Sequence, residues 1–254
     1  MKLGTVATVM MVGSSAAFTT PVSKPVSTSL AASSKADLEA LGKELNPILG
    51  YFDPLKLADT DMWGQSEEFT IKFLRQSEIK HGRVAMAAFV GYCVQSNFHW
   101  PWAMTTDGDA FPSTDLTPPE QWDALPTAAK AQIILFVGFL EFYSELYPGE
   151  GTVSALPHYT KPDGIPGKFP TFDDVPHPVP FNLFDPFKFS KNRSEADKAR
   201  GLVVETNNGR LAMLGIFGFL CAQKIPGSVP VLSGIVGPYD GEPMAPFASD
   251  FHIL

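Results

Sequence analysis

The sequence predicts an all-α protein built on three long helices, the first and third of which cross as a pseudo-twofold pair. The phrase Glu78-Ile-Lys-His81-Gly-Arg83-Val-Ala-Met86 returns as Glu205-Thr-Asn-Asn208-Gly-Arg210-Leu-Ala-Met213 at a constant offset of 127 residues, so one helical phrase is used twice. The echo extends to small residues, with Gly82, Ala85, Ala88 and Gly91 matching Gly209, Ala212, Gly215 and Gly218. It extends also to a Phe-Asp-Pro segment before each copy, Phe52-Asp53-Pro54 and Phe184-Asp185-Pro186. Between the copies lies a third apolar run, Ile133 to Leu140.

The N-terminus stands apart from this plan. Residues 1–32 hold no acidic residue and are rich in Ser, Thr, Val and Ala, as expected of a targeting segment. Lys2, the apolar run Leu3 to Val12 and Ser15-Ala16-Ala17 read as a signal peptide. The basic, hydroxylated stretch from Phe18 to Ala32 resembles a transit peptide placed behind it. Together they are similar to the two-part address of plastids of red-algal origin, which leaves 33–254 as one domain.

In that domain Leu38, Leu41, Leu45 and Ile48 recur at helical spacing, predicting a short amphipathic helix over Lys35 to Leu49 that Phe52-Asp53-Pro54 ends. The first long helix is expected over about 68–97, stopped by Trp100-Pro101-Trp102, whose indoles favour a membrane interface. A polar, proline-bearing loop follows to Pro126. The middle helix is expected over Thr127 to Tyr147, closed by Pro148-Gly149, and a connection without helical period runs on to Pro186. Ser194, with Asp197 three residues on, is the expected N-cap of the last helix, which runs to about Gln223 before Pro226-Gly227.

A net charge of −8 without a basic stripe argues against nucleic acid as partner. Mean hydropathy near zero with 23 prolines and 20 phenylalanines fits neither an ordinary soluble enzyme nor a bundle of purely apolar spans. The apolar part of the first long helix, Val84 to Val94, is about half of the roughly 20 residues that a spanning helix needs. Cys93 and Cys221 lie inside apolar helical runs and read as packed thiols.

Glu78 and Arg83 are five residues apart, about 140° around a helix axis, so they do not face each other, and the same holds for Glu205 and Arg210. At membrane depth each unpaired charge costs roughly 2.5–3.5 kcal/mol. Two crossing copies supply the remedy, Glu78 with Arg210 and Glu205 with Arg83. The small residues let two backbones approach, and they equally leave room for flat ligands. A carboxylate paired through one oxygen keeps the other for a hard cation such as Mg²⁺. A porphyrin-type ring already supplies four nitrogens to its metal, so a single axial donor suffices. His81 and Asn208, at equivalent places in the two copies, are both neutral one-atom donors.

These residues resemble the chlorophyll-binding light-harvesting proteins. The likeness lies in Glu-x-x-His/Asn-x-Arg occurring twice, in the Asn-Gly-Arg-Leu-Ala-Met string, and in a shorter middle helix bearing Glu141. Val-Gly-Phe-Leu-Glu-Phe (137–142) and Lys-Ile-Pro-Gly-Ser-Val-Pro (224–230) resemble the fucoxanthin or peridinin chlorophyll a/c branch. The resemblance implies a non-enzymatic, three-transmembrane-helix protein of the plastid thylakoid membrane. It implies Glu78, His81, Glu141, Glu205 and Asn208 as axial ligands to the magnesium of chlorophyll a and chlorophyll c, with Arg83 and Arg210 as cross-helix partners. The Phe-Asp-Pro segments match loops that hold the ends of two central carotenoids, of fucoxanthin or peridinin type. The family's Gln or Glu fourteen residues after the Asn is here Ala222, and Gln223, one place later, is the candidate in its stead. Gln132 lies on the face of the middle helix opposite Glu141. The implied partners are other antenna subunits in an oligomer, a photosystem core that receives the absorbed energy, and thylakoid lipid.

Plainer readings stand beside these. Glu78 and Glu205 alone would be structural salt bridges without pigment, and only the repeated neutral donor argues beyond that. Met86 and Met213 read as core filler, His99, His158 and His177 as loop side chains, and His252 as a candidate terminal ligand. A di-iron carboxylate enzyme could use Glu78-Ile-Lys-His81, but the second copy offers Asn208 and each copy brings an Arg that repels iron. A photoprotective, energy-dissipating member of the same family is the other alternative, although no acidic cluster near Trp100 or Pro148 favours it.

Overall fold

The computed structural model describes residues 32–146, 157–161, 163–170, 187, 189, 192–243 and 245–247. The fold is all-α, with helices α1 (Lys35–Leu45), α2 (Glu67–Gln95), α3 (Pro118–Asp123), α4 (Thr127–Leu146) and α5 (Glu195–Lys224). The three expected long helices are α2, α4 and α5. Most of the presequence, Pro148-Gly149, the second Phe-Asp-Pro segment, His177 and His252 lie outside the described residues. Ala32 is buried with Leu41 and Leu45.

The helix ends show local chemistry overriding periodicity. Ser34 and Asp37 form a reciprocal cap that starts α1. α1 stops at Leu45 rather than Leu49, because the Asn46 carboxamide oxygen accepts the Ile48 and Leu49 N–H groups and draws the chain into a turn. α2 ends two residues before its expected end. There Ser96 and Asn97 donate back to the carbonyls of Tyr92 and Cys93, an alternative to continuing the helix. The Trp100 and Trp102 rings stack beyond this end, 4.6 Å apart. The stretch before Pro126 is not all loop, since it contains α3. Thr117-Pro118-Pro119-Glu120 is the signal that was legible there, with prolines at the helix start and the Glu120 carboxylate accepting the Thr117 N–H at 2.7 Å. α5 starts as expected, the Asp197 N–H donating to Ser194 Oγ.

The described residues divide into two compact units, one drawn from Val84–Val137 and Leu211–Leu254, the other from Ser23–Arg83 and Gly138–Arg210. In the first unit Tyr92, Phe219, Ala222 and Leu232 form the core, with Phe219 stacked on Tyr92 at 4.5 Å and on Phe89 at 5.2 Å. Gln121 of α3 donates to the carbonyl of Gln95, closing the open end of α2, and the Tyr239 hydroxyl donates to Asp123. Cys93 and Cys221 are free and partly buried.

In the second unit α2 and α5 touch backbone to backbone at Gly82 and Gly209, the equivalent residues of the repeat. A Cβ on Gly209 would lie 2.8 Å from Gly82 Cα, closer than any side chain allows. Asn207 of α5 donates to the Leu45 carbonyl at the end of α1.

Among the described residues no helix is long and apolar enough to cross a membrane by hydropathy alone. The charged repeat interrupts α2 and α5, while α4 carries Lys130, Glu141 and Glu145. Large apolar side chains nevertheless lie uncovered on all three, including Val84 and Val90 on α2, Leu211, Leu214 and Phe217 on α5, and every residue from Ile133 to Val137 on α4.

Candidate functional site

Both expected cross-helix pairs are present in the second unit. Arg83 Nε donates to Glu205 Oε1 at 2.6 Å, and Arg210 Nε donates to Glu78 Oε1 at 2.7 Å. The repeat forces this, because contact at Gly82 and Gly209 sets each Glu opposite the other copy's Arg.

The two halves then diverge. Glu78 Oε2 also accepts from Arg75, one turn earlier on α2, so both its oxygens hold a guanidinium. The residue equivalent to Arg75 is Leu202, and among the described residues no second cation reaches Glu205. Arg75 is only 4% exposed, and its Nε and Nη2 have no acceptor among the described residues. Arg83 in turn donates Nη1 to the Gly167 carbonyl at 2.7 Å, while the Gly167 N–H donates to Gln76. Gly167 sits at φ +79 with Ile79 against it, so only a residue without a Cβ closes this clamp. Arg75 was legible as an i,i+3 partner of Glu78; Gly167, far along the chain, was not.

His81 is exposed, and its Nδ1 lies 2.7 Å from the Ser77 carbonyl. A carbonyl only accepts, so in the neutral ring Nδ1 carries the hydrogen and Nε2 presents its lone pair outward, the tautomer that an axial ligand needs. Asn208 is likewise exposed, with its amide free of hydrogen bonds among the described residues. On α4 Glu141 is exposed. Its Oε2 accepts from Lys80 Nζ at 2.5 Å, and Oε1 remains. Lys80 also reaches Glu145 at 3.1 Å, whose other oxygen lies 3.1 Å from His158 Nε2. His158 is therefore part of an ion cluster rather than a lone loop side chain.

Gln223 differs from the other candidates. It is 2% exposed, and among the described residues both of its side-chain polar atoms lack a partner. A buried amide without hydrogen bonds costs a few kcal/mol and calls for a partner, yet a ring reaches it only by displacing its cover. Gly91 and Gly218, equivalent in the repeat, have no described neighbour within 4 Å in the direction a Cβ would take. The stripe is thus used unevenly: Gly82 and Gly209 serve the helix contact, Gly215 takes the Phe89 ring, and Gly91 and Gly218 are left without a neighbour in that direction among the described residues.

The donor set suits a ring-held magnesium. It consists of single oxygens or one imidazole nitrogen spread over three helices, with His81, Asn208 and Glu141 exposed and Glu78 and Glu205 half-buried, while Glu78 has both oxygens engaged and keeps only spare lone pairs.

A family model described as "Chlorophyll A-B binding protein" matches residues 38–224. "Fucoxanthin-chlorophyll a-c binding protein, chloroplastic" of Trieres chinensis is 33% identical over 240 residues, covering 91% of this chain and 98% of that one. The "F" protein of that description from Phaeodactylum tricornutum is 32% identical over 221 residues, covering 85% of this chain and 92% of the relative. The "A" protein from Macrocystis pyrifera is 27% identical over 195 residues, 74% of each.

Proposed function

The chain belongs to the chlorophyll a-b binding protein family, and from that premise we propose that it is a light-harvesting antenna of the plastid thylakoid membrane that holds chlorophyll a, chlorophyll c and a fucoxanthin- or peridinin-type carotenoid. It is not an enzyme. The pigments supply the light absorption and the excitation transfer, and the chain holds them at fixed positions for a photosystem core and neighbouring antenna subunits.

The observation that carries this reading is the pair of crossed ion pairs flanked by equivalent open donors, His81 and Asn208. A salt bridge alone explains Glu78 with Arg210 and Glu205 with Arg83. It does not explain why a neutral donor stands uncovered three residues after each Glu. In the proposal His81, Asn208, Glu205, Glu141 and Glu78 would each offer one donor atom to a pigment magnesium, and Gln223 would offer a sixth if its cover moved. The Phe52-Asp53-Pro54 loop meets a carotenoid end.

The uncovered apolar side chains favour α2, α4 and α5 as three membrane spans despite their charges. Exposing five consecutive apolar residues on α4 to water is costly at about 25 cal/mol per Å², whereas lipid and flat pigments cover them at no such cost. The α4 helix of 20 residues is about 30 Å long, matching a hydrocarbon core of about that thickness. The charged stretches are tolerated because their Glu and Arg groups neutralise each other across helices.

The test is refolding of the chain with a plastid pigment extract, followed by isolation of the complex. The expected product shows a chlorophyll red band and a carotenoid blue-green band, with carotenoid excitation driving chlorophyll emission. A folded chain that stays colourless would refute the proposal.

A further inference from the structure

Lys80 lies inside the repeated phrase at the place where its two copies part company. The equivalent residue is Asn207, which is spent on docking α1 through the Leu45 carbonyl. Lys80 instead reaches the middle helix, which has no symmetric counterpart. Its Nζ lies 2.5 Å from Glu141 Oε2, 3.1 Å from Glu145 Oε1 and 3.5 Å from Ser144 Oγ.

The candidate donors then fall into two chemical classes. His81 and Asn208 would donate as uncharged groups, and among the described residues neither has a cation upon it. Glu78, Glu205 and Glu141 are anionic, and each holds a cation from another helix: Arg210, Arg83 and Lys80 respectively. The division has a physical cause. A porphyrin-type ring already neutralises its magnesium, so a carboxylate ligand adds a net negative charge to an apolar site, whereas an imidazole or amide adds none. That charge is costly at low dielectric unless a cation lies within a few ångströms.

Resting on the proposed role of Glu141 as a magnesium donor, we propose that Lys80 is the counter-ion of the middle-helix site, a positioning residue that makes Glu141 an electroneutral donor and leaves Oε1 free for the metal. His158 and the rest of the cluster hold Glu145, so that Glu141 takes the short bond to Lys80. Glu141 thereby joins Glu78 and Glu205 in one scheme, in which every charged donor is neutralised across a helix interface.

The experiment counts chlorophyll per chain in complexes refolded with the pigment extract, using wild type, Lys80→Met, Lys80→Arg, Glu141→Gln and the Lys80→Met/Glu141→Gln double variant. Lys80→Met is expected to lose one chlorophyll per chain and Lys80→Arg to keep it. Glu141→Gln sets the reference count for an uncharged donor at that place. The decisive sample is the double variant, which is expected to regain the chlorophyll that Lys80→Met loses, since a neutral donor needs no counter-ion. A full complement in Lys80→Met overturns the proposal. So does a double variant as depleted as Lys80→Met, which would make Lys80 a packing residue only. Should Lys80→Met fail to assemble, the double variant still decides, supporting the proposal if it matches Glu141→Gln and overturning it if it fails as well. A wild-type chain that takes up no chlorophyll refutes the antenna reading itself, and Glu141→Ala with no loss refutes Glu141 as a donor.

Discussion

Removing either cross-helix arginine tests the asymmetry of the paired device. In Arg210→Leu, Glu78 keeps Arg75 on its second oxygen; in Arg83→Leu, Glu205 is left with no cation among the described residues, and the Gly167 carbonyl loses its donor. Both variants lose a charge-assisted hydrogen bond of about 1.5–3 kcal/mol. Arg83→Leu additionally strands a carboxylate, worth roughly 2.5–3.5 kcal/mol at membrane depth, and forfeits the guanidinium's second charge-assisted bond, to the Gly167 carbonyl, of about 1.5–3 kcal/mol. Arg83 and Glu205 side chains are 38% and 29% exposed, so solvent and lipid headgroups screen part of this, and about 2 kcal/mol is a fair expectation for the difference. That corresponds to about 30-fold in the ratio of assembled to unassembled chain. The assay is detergent-induced loss of carotenoid-to-chlorophyll energy transfer in the refolded complex, with Arg83→Leu expected to release pigment at lower denaturant than Arg210→Leu. Equal midpoints, or the reverse order, would refute the assignment of Arg75 as second counter-ion to Glu78. The same asymmetry predicts that exchanging the charges as Arg83→Glu/Glu205→Arg restores assembly better than Glu78→Arg/Arg210→Glu, which sets a new guanidinium against Arg75.

Three further outcomes follow from single sites. Gly209→Ala puts a methyl 2.8 Å from Gly82 Cα and is expected to cost about 1–3 kcal/mol of assembly through forced separation of the helices, whereas Gly218→Ala leaves the helix contact intact; denaturant midpoints of the two variants check this. His81→Ala is expected to remove one chlorophyll per chain and His81→Asn to retain it, because Asn is the donor at the equivalent place in the other copy; pigment extraction and chromatography decide. The N–H groups of Ala58 and then Leu57 hold the Asp53 carboxyl below its ordinary value of 3.8, with Tyr51 and Lys35 assisting. A carboxyl depressed in the folded state stabilises above its unfolded pKa and loses that contribution as pH falls through the folded one. Protection of the Leu57 and Ala58 amides relative to their intrinsic exchange rates should therefore hold from neutral pH down to the ordinary carboxyl range and fall below it, and Asp53→Ala should lack it throughout.

The pairing of α2 with α5 was legible in the chain because it is a matter of angles and charge. A Glu and an Arg five residues apart cannot meet on one helix, so two copies of the phrase have to satisfy each other, and Gly82 and Gly209 are where their backbones can touch. The proposed donor types rest on the same kind of reading, since chemistry depends on residue identity and the repeat marks which identities recur. Helix starts at Ser194 and, in retrospect, at Thr117 are written in four consecutive residues.

Other features depended on the folded chain. Asn46 and not the Phe-Asp-Pro segment ends α1, since an Asn turn competes with the helix only where the backbone bends to meet it. Arg75 breaks the twofold by taking the second oxygen of Glu78, and Gly167 clamps Arg83 from a loop without periodicity. Lys80 meets Glu141 across 61 residues of sequence. A lysine carries no directional signal along the chain, and its long side chain finds whichever carboxylate packing brings within reach. The sequence by itself determined which charges could not stay alone; the tertiary structure decided which cation answered each of them, because that choice is made by distance in space.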